Sequence, residues 1–173
     1  MNFICRVRDN NVYLIYSYNT NTSSKLNKCT FYKLASTSFT TVDDLPCQNA
    51  RVIEIFDVYH NMFVFIGNYQ ENNGTTNAFS NIMKYDLPSK KFYTYQKIYT
   101  NAIAECKYFY LDHENQRQHF LFVGNTFEVT EFGTINKEVP SIIYKFVNDF
   151  FIPLQTMTLS NVKSVLPVIV RKP

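Results

Sequence analysis

Few residues in this sequence have the types and spacing that catalysis requires. His60, His113 and His119 are the candidates for acid–base or metal chemistry, but no His-x-x-x-His pair or recurring carboxylate partner accompanies them. We expect these histidines to lie exposed in turns. Ser80 and Ser141 recur at matching points of a repeated pattern, whereas a catalytic serine is needed once, with a base and an orienting group. The sequence therefore predicts a protein that is not an enzyme and needs neither a cofactor nor a metal ion.

The four cysteines, Cys5, Cys29, Cys47 and Cys106, have no C-x-x-C spacing, which argues against zinc binding and dithiol redox chemistry. Cys29 and Cys47 flank two short predicted strands of one unit, so a disulfide between them is sterically allowed. Cys106 occupies an apolar strand position, and we expect it to be a buried thiol. Four cysteines allow three pairings, and the sequence leaves the connectivity open.

Two N-x-S/T sequons begin at Asn21 and Asn73, both in polar loops between predicted strands. Such asparagines are glycosylated only in a chain that enters the secretory pathway. Asn21 and Asn73 are therefore candidate glycosylation sites.

The composition excludes several classes of protein. The 173 residues include 13 Tyr and 16 Phe but no Trp, only four Gly and six Pro, and a net charge of +3. The high aromatic content argues against a disordered or collagen-like chain. The small, dispersed positive charge argues against binding to nucleic acid. No apolar run is long enough to span a bilayer, and the N-terminal residues lack the apolar core of a signal peptide.

The elements that position these residues repeat three times. A short apolar strand at 13–17, 63–67 and 120–124 is followed by a polar loop and a second strand at 29–34, 80–85 and 141–146. A third strand begins at residues 39, 92 and 151, and a fourth strand, at 51–58, 104–111 and 163–170, closes each unit. The recurring residues are Gly67 and Gly124; Ser80 and Ser141; Tyr32 and Tyr144; Lys33, Lys84 and Lys145; Phe39, Phe92 and Phe151; and Asp43, Gln96 and Gln155.

Units of four short strands are typical of propeller blades. We therefore predict an all-β fold of about three blades of four antiparallel strands, forming a partial or assembly-dependent propeller. The predicted repeats cover residues 12–58, 59–111 and 118–170, and residues 1–11 are expected to be the outer strand of a preceding blade. The lysine series is expected on the solvent face, with Asp43, Gln96 and Gln155 capping turns or pairing across strands rather than lining a channel.

The repeated units resemble the EAR repeat, also called the epilepsy-associated or EPTP repeat. The third unit is the best match, with Phe-Leu-Phe-Val-Gly-Asn at 120–125, Ser-Ile-Ile-Tyr-Lys-Phe at 141–146 and Phe-Ile-Pro-Leu-Gln at 151–155. The first unit departs at Ser17, Cys29 and Asp43. The family usually has Trp after the Tyr-Lys pair, where this chain has Leu34, Tyr85 and Phe146, and it normally builds seven blades.

The resemblance implies a secreted, non-catalytic interaction module in adhesion or signalling, which binds a cell-surface receptor or a secreted protein. Further blades or self-assembly would complete the ring. Two alternatives remain open at this point. The chain is a fragment of a larger protein without independent function, or a propeller-channel hydrolase or lyase, which would need a unique polar cluster that breaks the repeat.

Overall fold

The computed structural model describes residues 2–8, 11–18, 28–47, 49–71, 74–114, 116–159 and 162–168. These residues form an all-β fold of three four-stranded antiparallel sheets and a two-stranded hairpin. The first sheet contains β1 (Asn2–Arg8), β2 (Asn11–Tyr18), β3 (Lys28–Ala35) and β4 (Ser38–Pro46). The second contains β5 (Ala50–Val58), β6 (Asn61–Asn68), β7 (Asn77–Asp86) and β8 (Lys91–Asn101). The third contains β9 (Glu105–His113), β10 (Gln116–Gly124), β13 (Pro140–Val147) and β14 (Phe150–Thr158), with β11 (Glu128–Val129) and β12 (Ile135–Asn136) forming the hairpin.

The strand pairing corrects the predicted assignment of strands to units. β5 and β9 pair with β6 and β10, so each begins a sheet, whereas we expected these segments to close the preceding one. The reason is local: Tyr59 and His60, with φ of 46° and 68°, join β5 to β6 in a two-residue hairpin that enforces antiparallel pairing. β1 likewise pairs with β2 in the first sheet and is not part of a preceding blade. Residues 162–168 form no strand, contrary to the prediction.

The three sheets stack face to face, and the middle sheet is buried on both faces. One of its faces packs against Ile15, Phe31 and Leu45 of the first sheet. The other packs against Leu121 and Phe151 of the third sheet. Burial on both sides explains why β6 is a continuous apolar run instead of an alternating one. The first strands β1, β5 and β9 lie side by side across the stack.

The same internal features hold each sheet together. A β-bulge lies at the matching position of each sheet, between Phe31 and Tyr32 in the first. The recurring serines are buried: Ser80 and Ser141 accept hydrogen bonds from the backbone N–H groups of Asn68 and Asn125, at 3.0 and 3.2 Å. Their repetition is therefore structural, since each serine binds a backbone N–H group in the core.

Candidate functional site

The longest loop of the described chain folds into the hairpin β11–β12. Glu128 pairs with Asn136 and Val129 with Ile135, and Gly133 takes a φ of 76° in the turn, which favours glycine. Phe132 beside it is 86% exposed, and Ile135 is 61% exposed. The hairpin thus holds an aromatic ring in solvent, where its apolar surface is available to a partner.

Hydrogen bonds fix this hairpin to the second sheet. The Asn77 side chain donates to Oε1 of Glu128 at 2.6 Å, and the backbone N–H of Val129 donates to Oγ1 of Thr76 at 2.6 Å. The rings of Phe127 and Tyr69 meet edge to face, with centroids 6.2 Å apart. The hairpin is thus a rigid extension of the second sheet, which lowers the entropic cost of using it to bind a partner.

Exposed aromatic and acidic side chains surround this anchoring point. Phe79 and Tyr99, 53% and 50% exposed, form an edge-to-face pair with centroids 5.5 Å apart. Partial burial, and next the negative charge of Glu128, raise the pKa of Tyr99. We call the surface of residues 69–71, 74–76 and 125–139, together with Phe79 and Tyr99, the loop rim. Its described charged residues are Glu71, Glu128, Glu131, Glu138 and Lys137, so it is acidic although the whole chain carries +3.

The recurring Asp and Gln residues have a role that sequence reasoning missed. Gln96 in β8 donates from its amide nitrogen to the backbone oxygen of Phe151 at 2.8 Å, and its amide oxygen accepts the Phe151 N–H at 2.9 Å. One step earlier, Oδ2 of Asp43 in β4 accepts the N–H of Phe92 at 2.7 Å. We call this contact the inter-sheet clamp: a side chain on the last strand of one sheet binds the backbone where the last strand of the next sheet begins.

The recurring lysines lie half-buried, not fully in solvent. The ammonium group of Lys84 lies over the ring of Phe63, 5.7 Å from its centroid, and over the ring of Tyr95 at 5.6 Å. This cation–π geometry lets a lysine cover the aromatic edge of a sheet while its charge stays near water.

The expectation that all three histidines are exposed was wrong for His119. His60 and His113 are exposed, but His119 is 3% exposed on the face of β10 that packs on the second sheet. Its Nδ1 lies 2.6 Å from the hydroxyl of Tyr108, which also donates to the backbone oxygen of Asp57 at 2.7 Å. Desolvation, and next the charge of Arg117, lower the pKa of His119. The neutral imidazole is thus part of the contact between the second and third sheets.

Cys29 and Cys47 form a disulfide with their Cα atoms 5.8 Å apart. Cys106 is a free thiol buried in the core, and desolvation raises its pKa well above its usual value. A raised pKa keeps the thiol protonated and unreactive. The two candidate glycosylation sites, Asn21 and Asn73, lie outside the described residues.

The described part of the chain has no cluster of three or more His, Cys, Asp or Glu side chains that could hold a metal ion. It also has no helix with the length and apolarity needed to cross a membrane. No protein-family model matches the chain, and no curated protein matches it either.

Proposed function

We propose that the three sheets are blades of a β-propeller of the EAR type, and that the chain is a non-catalytic, extracellular module that binds a cell-surface or secreted protein. The observation that carries the proposal is the loop rim: Phe132 is 86% exposed on a hairpin that is anchored to the second sheet. A rigid aromatic residue among polar neighbours is typical of a binding hot spot.

The inter-sheet contacts support the blade arrangement. The first and second sheets are related to each other much as the second and third are, because Asp43 and Gln96 bind the equivalent residues Phe92 and Phe151. A contact that recurs at each step is the geometry by which repeat proteins stack one unit on the next. In a propeller the innermost strands of successive blades lie side by side, as β1, β5 and β9 do here.

The chemistry of the loop rim favours a protein partner with a basic surface. Glu131 and Glu138 are exposed on the hairpin, and Glu71 and Glu128 lie beside the aromatic pair. Acidic side chains around exposed aromatics suit a partner that presents Arg or Lys around an apolar depression. Such a complex should form more slowly as salt concentration rises, since screening weakens the electrostatic attraction.

The disulfide supports an extracellular location. Disulfides persist in oxidising compartments and are rare where thiols are kept reduced. Cys29 and Cys47 form one, while Cys106 is buried away from oxidants and exchange partners. This distribution suits a chain that folds in the secretory pathway.

The proposal is tested by screening the purified full chain, made multivalent, against cells that each display one secreted or cell-surface protein. We expect at least one binder, whose binding Phe132→Ser reduces. Leu87→Ser is the matched control, because Leu87 is 73% exposed but lies in the β7–β8 turn, at the other end of the strands. A screen without any binder, or equal losses for the two variants, would contradict the proposal.

A further inference from the structure

The outer face of the third sheet carries apolar residues at the positions that the first two sheets use to pack against the next sheet. In the first sheet Ile15 and Phe31 pack against the second sheet, and in the second sheet Phe65 and Ile82 pack against the third. The equivalent residues of the third sheet, Phe122 and Ile143, line an open groove of about 750 Å³ on its outer face. This apolar face is therefore in the position of an inter-sheet contact, and no fourth sheet covers it among the described residues, where only the C-terminal segment lies against it.

The side chain that would form the inter-sheet clamp on this face also lacks a backbone partner among the described residues. Gln155 in β14 is equivalent to Gln96 and pairs with Ile143 across the strands, but its side chain is exposed and makes no hydrogen bond among the described residues. Gln96 shows what such a glutamine can do: it binds both the N–H and the carbonyl oxygen of one backbone residue on the neighbouring sheet. Gln155 is thus positioned to bind the backbone of a further sheet.

The outer face of the first sheet carries the matching half of the same contact. Phe39 in β4 is equivalent to Phe92 and Phe151, whose rings pack towards the preceding sheet and whose backbones receive the clamp. Phe151 is 1% exposed, whereas Phe39 is 43% exposed. Since no sheet precedes the first one within the described chain, the ring and backbone of Phe39 have no such neighbour.

We propose that these two faces bind each other between copies of this chain. The outer face of the third sheet of one copy receives the first sheet of a second copy, with Phe39 packing on Ile143 and Gln155 binding the Phe39 backbone. Mutual pairing of two copies supplies six sheets, which lies within the roughly four to eight blades that close a propeller. The proposal goes beyond the binding of another protein, because it uses different surfaces and needs the chain alone.

Residues 162–168 must move aside when the second copy binds. The Cβ position of Gly67 lies 2.9 Å from Ile103, just before β9, and that of Gly124 lies 2.9 Å from Val162. The segment after Val162 therefore starts along the path that β9 follows beside the second sheet, where β1 of the incoming copy would lie. Val165, Pro167 and Val168 of this segment line the groove, but the segment pairs with no described strand and Leu166 and Val168 are 79% and 73% exposed, so moving it aside breaks no strand pairing.

Sedimentation velocity of the purified full chain over a wide concentration range tests the proposal. We expect reversible formation of a dimer from the 20.4-kDa chain. Gln155→Ala removes two hydrogen bonds at each contact and should weaken the dimer at least about tenfold. Thr156→Ala is the control, because the adjacent side chain of a strand points to the opposite face. A chain that stays monomeric throughout, or equal effects of the two variants, would overturn the proposal.

Mixing two blocked variants distinguishes head-to-tail binding from a symmetric pairing of like faces. Phe39→Asp blocks the outer face of the first sheet, and Leu111→Asp, at a 42% exposed position of the groove, blocks the outer face of the third. Each variant alone should be monomeric, whereas the mixture should form a heterodimer through its one intact contact. A dimer of either variant by itself, or no heterodimer in the mixture of two variants that melt like the parent chain, would refute head-to-tail binding. Phe132→Ser should not affect the dimer, so this result is independent of the partner screen.

Discussion

Replacing Gln96 with alanine should weaken the packing of the third sheet against the second. The variant loses two hydrogen bonds to the Phe151 backbone, each contributing about 1 kcal/mol to the free energy of unfolding. It also leaves the N–H and carbonyl oxygen of Phe151 without that partner beside a ring that is only 1% exposed. With part of that desolvation cost added, we expect a loss of about 2–3 kcal/mol. For a chain of this size, the melting temperature should fall by roughly 4–12 °C.

Gln155→Ala is the matched control, since it removes the same side chain from the equivalent position of a sheet that has no following neighbour within the chain. Because the Gln155 side chain is exposed and makes no hydrogen bond among the described residues, its removal should change the free energy of unfolding by less than about 0.5 kcal/mol. Urea denaturation of both variants at low protein concentration, where the chain is monomeric, measures the difference. If Gln96→Ala and Gln155→Ala lose the same stability, the inter-sheet clamp does not hold the stack together.

Three further changes probe other contacts of the core. His119 has a pKa below its ordinary value in the folded chain. Its contribution to the free energy of unfolding is therefore complete above about pH 6.5 and is lost as the pH falls towards the folded pKa. Urea midpoints measured across this range should show the loss, and His119→Gln should abolish it. Gly67→Ala places a Cβ atom against the buried side chain of Ile103 and should lower the free energy of unfolding by about 1–3 kcal/mol. Gly124→Ala should cost less, because its neighbour Val162 belongs to the C-terminal segment, which pairs with no described strand. Thermal melts that rank the two variants in the reverse order would contradict this. Reducing the Cys29–Cys47 disulfide opens a loop of 18 residues and should lower the free energy of unfolding by about 3 kcal/mol. Denaturation with and without reductant measures the difference. Unchanged stability would show that the bridge does not constrain the unfolded chain.

The strands were predictable from the sequence because each one is a short apolar or aromatic run between polar loops, and the repetition showed which runs are equivalent. The grouping of strands into sheets was not, because β5 has the same local pattern whether it ends one sheet or begins the next. The two-residue connection at Tyr59 and His60 decides the matter, but Tyr-His is not one of the dipeptides, such as Asn-Gly, that mark a two-residue hairpin in a sequence. The burial of His119 could also have been found, since it shares a strand face with Leu121 and Val123.

The role of Gln96 could not be predicted, because its partner is the backbone of Phe151, 55 residues away, and any residue type offers the same backbone groups. Repetition showed that the position mattered without showing what it binds. The loop rim can be predicted only in part: the length of the third loop and its two phenylalanines can be read from the sequence, but its folding into a hairpin fixed to Thr76 and Asn77 depends on contacts between units.

The inter-sheet clamp also explains why the stack has a direction. Each sheet carries the Asp or Gln side chain on one face and presents on the other the phenylalanine backbone that such a side chain binds, so the two faces are chemically different. Two third-sheet faces brought together would place Gln155 against Gln155 with no phenylalanine ring to fill the groove beside Ile143. A first-sheet face satisfies both requirements at once, because the Phe39 ring and the Phe39 backbone arrive together. We therefore expect any added sheet to enter in one orientation, so that such sheets extend or close the stack and do not pair through like faces.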